Sequence, residues 1–162
     1  MKHTIDLIKN FFEKGNWKYD YKEYDETRVA FSSGVNMNNA IGSLRIFVVV
    51  HQDYYWVNVL LNSAVEEKYY NQVAEYLHRA NYGMNNGNFE FDFEDGEVRY
   101  KTFVNFNGVQ LSDDVVTDSI LIPIFMFDKY GKNLLRLMLG EGNPKELIEE
   151  AEKEALEAVD AS

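Results

Sequence analysis

No cysteine occurs anywhere in the 162 residues. That absence removes disulfide scaffolds, thiolate zinc sites and thiol catalysis together, and it suits a cytoplasmic address. Long hydrophobic runs are missing as well. The longest apolar stretch, "ILIPIFMF" at 120–127, is too short to span a bilayer. The opening "MKHTIDLIKNFFEKGNW" does not read as a signal peptide, because Asp6 interrupts any apolar core and no small-residue cleavage site follows. A soluble cytoplasmic protein with no membrane partner is therefore expected. Basic residues are scarce: 16 Lys and Arg face 27 Asp and Glu, for a net charge of −11. Nucleic-acid affinity comes largely from neutralising phosphates with Lys and Arg, so no nucleic-acid partner is expected either. Much of the excess sits in residues 141–162, where eight acidic residues face only Lys145 and Lys153, a local balance of −6. That tail reads as the solvated face of a helix.

Signatures of chemistry are equally sparse. There are three histidines, His3, His51 and His78. His51 and Asp53 flank a turn where a shared metal is conceivable, but no HExxH and no second ligand pair supports one. His78 falls on the exposed side of its helix beside Arg79. Ser32, Ser33 and Ser43 lie in or near a loop without a G-x-S-x-G elbow. "GMNNG" at 83–87 lacks the following Lys-Ser/Thr of a phosphate loop, and no dinucleotide fingerprint occurs. Asp113, Asp114 and Asp118 gather at the start of a helix, where they complement its macrodipole. No catalytic residue, cofactor or metal ligand is expected from these patterns.

What the chain does have is apolar and aromatic material, at 46% and 15% of its residues, enough to fill the core of one domain over 1–162. Ile5, Ile8, Phe11 and Phe12 recur at helical spacing over 4–14, and Gly15 ends the run. Trp17, Tyr19 and Tyr21 alternate as in a strand, and 27–33 is a second strand candidate. A polar loop at 34–42 follows. "SLRIFVVVHQ" and "YYWVNVLLN" make two strong strands around Gln52-Asp53. A helix over 64–82 should open with a capping box of Ser63 and Glu66 and bury Tyr69, Val73, Tyr76, Leu77 and Ala80, with Gly83 just past its end. Ser112 caps a helical region at 113–139 that Pro123 should kink or split. Asn143-Pro144 starts a last helix with Leu147, Ile148, Ala151, Ala155 and Val159 on one side. The order α-β-β-β-β-α-β-β-α-α segregates helices from strands and predicts an α+β fold with a mainly antiparallel, twisted sheet packed by helices.

The most chemical-looking stretch is "FEFDFEDGEVRYKTFVNF" at 89–106, with five carboxylates around an Asp-Gly pair. A calcium loop ending on Gly96 would need oxygen ligands where Phe91 and Phe93 stand, so that reading fails. A hairpin with Asp95-Gly96 as a two-residue type I′ turn pairs Phe93 with Val98 and Phe91 with Tyr100. It sets Asp92 against Arg99 and Glu90 against Lys101 as cross-strand ion pairs, and leaves Glu94 facing Glu97.

One feature points outward. An antiparallel sheet with one wet face should alternate apolar and polar residues. Leu44, Ile46, Val48 and Val50 supply one apolar side of their strand, and Phe47 and Val49 make the other side apolar too. Tyr55, Val57, Val59 and Leu61 are likewise backed by Trp56 and Leu60. The second face needs cover from a helix, a partner subunit or a ligand. The chain's own C-terminal helix is one candidate, held lightly and displaced when a partner binds; a second copy or a partner segment is the other. Phe47, Val49, Trp56 and Leu60 are the candidate binding surface.

The run "AEYLHRANYGMNNGNFEFDFEDGEVRYKTFVNFNGVQLSDDVV", followed by "FMFDKYGKNLLRLMLGEGNPKELIEEAE", resembles the YbjN-like family, labelled bacterial sensory transduction regulators. The shared pattern covers roughly 17–150: a helix ending in Asn, an aromatic hairpin with D-G and V-R-Y, a helix opened by L-S, and an Asp-Tyr segment closing on Gly. The resemblance implies a fold like type III secretion chaperones, which commonly dimerise and bind extended partner segments, and it transfers no catalytic residue. Pro123 and the acidic last helix depart from the pattern. The expected function is a non-enzymatic protein-binding or regulatory module with a protein partner or a second copy of itself. A small hydrolase or ligand-binding enzyme assembled at the sheet, and a structural subunit of an obligate complex, are the alternatives.

Overall fold

The computed structural model describes residues 1–160, without the side chains of Leu156 and 158–160. The predicted order of elements is the observed one. Helix α1 (Lys2–Lys14) is followed by β1 (Tyr19–Asp25), β2 (Arg28–Asn36), β3 (Ser43–Val50) and β4 (Tyr54–Leu61). Helix α2 (Tyr70–Asn81), strands β5 (Asn88–Phe91) and β6 (Val98–Asn105), and helices α3 (Asp113–Met138) and α4 (Pro144–Asp160) complete it. The strands form one antiparallel six-stranded sheet in the order β1-β2-β3-β4-β6-β5. The architecture is α+β.

The helices lie on one side of this sheet. Phe12 of α1 stacks on Tyr19 and packs on Phe31. Helix α3 crosses β4 and β6, and α2 lies on β5. Between the layers, Phe31, Ile46, Val48, Tyr55, Val57, Val59, Val98 and Tyr100 are buried against Ile8, Tyr76, Ile120, Phe127 and Leu134. Burial of this apolar surface is the main stabilising term.

Pro123 neither splits α3 nor interrupts its 26 residues. Proline at this position removes the N–H that would bond the carbonyl of Ser119, four residues back. Here the Thr102 hydroxyl of β6 donates to that carbonyl at 2.8 Å, so the orphaned acceptor ties helix to sheet. Beside it the Ser119 hydroxyl donates to Val116 O at 2.8 Å, which leaves the Tyr55 hydroxyl to donate to Ser119 Oγ, also at 2.8 Å. Thr102 and Ser119 are both buried.

Several local expectations change. The Ser63–Glu66 capping box does not form: the chain makes a single 3-10 turn at Glu67–Tyr69 before α2, with no side-chain cap. Val65 N–H donates instead to Gly96 O at 3.0 Å, so the approach to α2 is fixed by the β5–β6 loop. Strand β2 runs on to Asn36, three residues into the expected loop, because Gly34, Val35 and Asn36 pair with Arg45, Leu44 and Ser43. The rest of that loop is docked on α3. Asn39 Nδ2 donates to Asp128 Oδ1 at 2.7 Å, and Ile41 sits against the bare backbone of Gly131, where a Cβ would collide with it.

The 89–106 hairpin is a hairpin, in a different register. Phe89 pairs with Tyr100, Glu90 with Arg99 and Phe91 with Val98. The turn is a four-residue loop, Phe93–Gly96, in place of a two-residue type I′ turn. Asp92 N–H donates to Glu97 O at 3.0 Å, and Gly96 N–H to Asp92 O at 2.9 Å. Asp92 Oδ1 accepts from Glu94 N–H at 2.8 Å, an Asx turn that winds the chain early, and Gly96 closes the loop at φ +76. The expected Asp92–Arg99 pair gives way to Glu90–Arg99 at 2.6 Å, with Lys101 3.6 Å from the same carboxylate, and Glu97 faces Asp92 where it was expected to face Glu94. The edge strand β5 is held from the helix layer: Asn81, the last residue of α2, donates to Phe89 O at 2.9 Å and accepts from Phe89 N–H at 2.7 Å.

Both remaining helix starts are as expected. Ser112 Oγ accepts from Val115 N–H at 3.4 Å, and Asn143 Oδ1 from Glu146 N–H at 3.0 Å. The last helix does not cover the sheet. It packs on α2 and α3, burying Leu147, Ile148 and Ala151, while Val159 of the expected stripe lies outside the described side chains. Among the described side chains its acidic residues stay in contact with solvent, as expected, and two of them also pair with α3. Glu150 takes a 2.8 Å contact from Arg136, and Glu154 a 2.7 Å contact from Lys132, both cations belonging to α3.

Candidate functional site

With all four helices on one side, the other side of the sheet is open. Strand register specifies what it displays. Pairing puts Lys22, Ala30, Val49, Trp56 and Phe103 in one row across five strands. The next row carries Asp20, Ser32, Phe47, Asn58, Lys101 and Asn88, and the row after that Gly34, Arg45, Leu60, Arg99 and Glu90. Among the described residues no helix lies over these rows.

Three of the four expected surface residues, Phe47, Val49 and Trp56, are here and half-buried. Leu60 is on the same face but only 6% exposed, which removes it as a direct contact. It sits between Arg45 and Arg99 at one level of the sheet, and long cationic side chains bury their stems along apolar neighbours. The sequence reading missed Tyr54, His51 and Phe103. Phe103 is 55% exposed, a large cost for a phenyl ring in water. Its signal was phase: Val98, Tyr100 and Thr102 face the core, so 103 must face out.

The aromatic residues form a continuous cluster. His51 stacks on Tyr54 with ring centroids 4.7 Å apart and 17° between planes, and lies 4.9 Å from Trp56. Tyr54 in turn lies 5.8 Å from Trp56 and 5.5 Å from Phe103. Two polar atoms of this face are enclosed without a hydrogen-bond partner, His51 Nε2 and Asn58 Oδ1.

The other residues singled out in the sequence do not converge. His51 stacks on aromatic rings, and among the described residues no group of three or more His, Asp or Glu side chains is placed to hold a metal. His78 is exposed on α2. Asp113 and Asp114 occupy the first turn of α3, and Asp113 lies 3.4 Å from Lys14. The 83–87 loop wraps over Tyr100, whose hydroxyl donates to Asn86 O at 2.6 Å. The phenols whose ionisation burial opposes most are core residues with structural bonds. Tyr55 and Tyr100 are each pushed up to about 12 by burial, and Tyr76, which donates to Tyr130 O at 2.8 Å, is raised further by the same cause. None of these phenols faces the open side of the sheet. A concavity of about 410 Å³ lies on the helix side, with Met84, Ile122, Met126 and Tyr130 among its lining residues.

No helix among the described residues is long and apolar enough to cross a membrane. Comparison with known proteins finds no matching family model, no matching curated protein and no matching solved structure, so the reading of this site rests on its own geometry.

Proposed function

We propose that the protein is a binding module that works without catalysis and holds a segment of a protein partner on the open face of its sheet. The observation that carries this is the row Val49–Trp56–Phe103, backed by Phe47 and Tyr54, on a sheet whose helices all lie on the other side. A contiguous apolar patch of this kind is the usual mark of an interaction surface, and a half-exposed Trp is well suited to carry much of the binding energy. The regulatory role that the YbjN-like resemblance implies, and its chaperone-like fold, belong to this reading. The enzymatic alternative lacks a comparable foothold, since the open face gathers aromatic rings, and its carboxylates Asp25, Glu90 and Glu97 lie against Arg28 and Arg99 in ion pairs.

The test is retention of partners from a native cell extract by the wild type and by Trp56→Asp and Phe103→Asp. Both positions face solvent in part, so both variants should melt within a few degrees of the wild type. Loss of the same retained protein from both variants is expected. A partner held equally by all three proteins would remove the open face as the site.

A further inference from the structure

We infer that the partner on the open face is a second copy of this chain, packed sheet to sheet about a two-fold axis that runs along the strands between β3 and β4; this rests on the binding reading above and names the partner. The first observation is relief. The outward residues of β2 are all small, Ala30, Ser32 and Gly34, and those of β6 at the same three levels are all long, Phe103, Lys101 and Arg99. The face is therefore low on one side of its midline and high on the other. Strands β2 and β6 stand equally far from that midline in the order β1-β2-β3-β4-β6-β5. A two-fold along the strands keeps each level and exchanges the sides. It lays Phe103 over the second copy's Ala30, Lys101 over its Ser32 and Arg99 over its Gly34. On the inner strands it lays Trp56 over Val49, Phe47 over Asn58 and Arg45 over Leu60. A surface that meets itself must be complementary to itself, and close packing of long against short residues is what fills such an interface.

The second observation is charge. The chain carries −11, yet on the open face Lys22, Arg28, Arg45, Arg99 and Lys101 are balanced by Asp20, Asp25, Glu90, Asp92 and Glu97. The excess of negative charge therefore lies on the rest of the surface. Two copies meeting through that remainder work against like charge, whereas the open face is neutral to its own image. The signs also match under the two-fold. A shallow hollow of about 380 Å³ at Gly34 has Asp20 and Arg45 among its lining residues. Arg99 comes over it with the Glu90 carboxylate 2.6 Å away, so each sign finds the other. Asp20 lies on the same level as the second copy's Lys101, one strand to the side. The third observation is area. Six strands about 4.8 Å apart, over three levels two residues apart, make a patch of roughly 25 by 20 Å. Covered on both copies, such a patch buries on the order of 1,000 Å² or more, the size of a specific interface. The Phe103 ring, 55% exposed in one chain, gains its cover there.

The experiment is light scattering of the full chain over a concentration series. The wild type should weigh about twice 18.9 kDa. Phe103→Asp and Ala30→Phe should each raise the dimer dissociation constant by about tenfold or more, the first by burying a charge and the second by setting two rings in one place. The double variant Ala30→Phe with Phe103→Ala should recover the dimer, because it exchanges high and low without changing their fit. Far-UV circular dichroism like that of the wild type marks each variant as folded, and Ala30→Leu takes the place of Ala30→Phe if the latter is not. The protein retained from extract by the wild type should then be the native chain itself. A wild type that stays at 18.9 kDa overturns the inference. In that case the binding reading stands if a protein is still retained from extract through Trp56, and falls if none is. A dimer indifferent to Phe103→Asp and Ala30→Phe, or one that the double variant fails to recover, overturns the two-fold packing.

Discussion

At the scale of single residues, the most informative position is Pro123, because its consequence appears on another element. A proline within a helix leaves an acceptor without its donor, and here Thr102 supplies the missing hydrogen bond from the sheet. Thr102→Val removes the donor, leaves a buried carbonyl unpaired and should cost about 1–3 kcal/mol. Pro123→Ala restores the helical N–H, so the cost of Thr102→Val should fall sharply in that background. Chemical denaturation of the four proteins measures the coupling directly. Equal costs in the two backgrounds would mean that the Ser119 carbonyl finds its donor elsewhere. The proline was legible in the sequence, and so was the expectation of a kink or break. Its compensation was not, because no local pattern says which strand residue will reach a given helix carbonyl. Trp56, Phe47 and Val49 were legible as outward-facing by strand phase alone, whereas the burial of Leu60 depends on Arg45 and Arg99 from two neighbouring strands.

At the scale of elements, the β5–β6 hairpin shows what alternation fixes and what it leaves free. The predicted pairing and the observed one differ by an even number of residues, so Phe89, Val98, Tyr100 and Thr102 face the core either way. Only an odd slip would have turned the strand over. Ion-pair partners and turn type have no such protection, and both changed. The deciding interaction is the Asp92 side chain capping Glu94 N–H, together with the docking of Gly96 against the backbone of Val65. Gly96 has a positive φ, and a Cβ there would meet Val65 backbone atoms and, at 3.1 Å, the Tyr70 hydroxyl. Gly96→Ala should therefore destabilise by about 1–3 kcal/mol or more, since left-handed strain and a backbone collision act together. Gly108, also at positive φ but with open space around it, is the matched control: Gly108→Ala should cost only the conformational part. Similar melting temperatures for the two variants would show that the hairpin tip is not seated on the segment leading into α2.

At the scale of the whole molecule, the exposed aromatic cluster and the acidic last helix lie on opposite sides. The sheet offers the rings of His51, Tyr54, Trp56 and Phe103, and the helical side carries α4 bound to α2 and α3. The sequence made α4 a candidate lid for the sheet because its apolar stripe is real; only the tertiary positions of Arg136 and Lys132 reveal where that stripe goes. The Arg136 guanidinium, through its hydrogen bond and charge, holds the Glu150 carboxyl below its ordinary value of 4.5. A carboxylate with a lowered folded-state pKa lends stability that is fully present above its unfolded value and lost as pH falls through the folded one. Acidification below about pH 4.5 should therefore loosen α4. Because Glu150 is well exposed, the effect should be local, seen as faster proteolysis or amide exchange in 144–155 before the sheet melts. Arg136→Gln should produce the same loosening at neutral pH and flatten the acid dependence. In a Trp17→Phe background, Trp56 emission and the affinity of the open face for its partner should stay unchanged in Arg136→Gln, since α4 does not touch that face. A shift in either would mean that the two sides of the molecule are coupled, and the last helix would then act as a regulator of the binding surface rather than as part of the scaffold behind it.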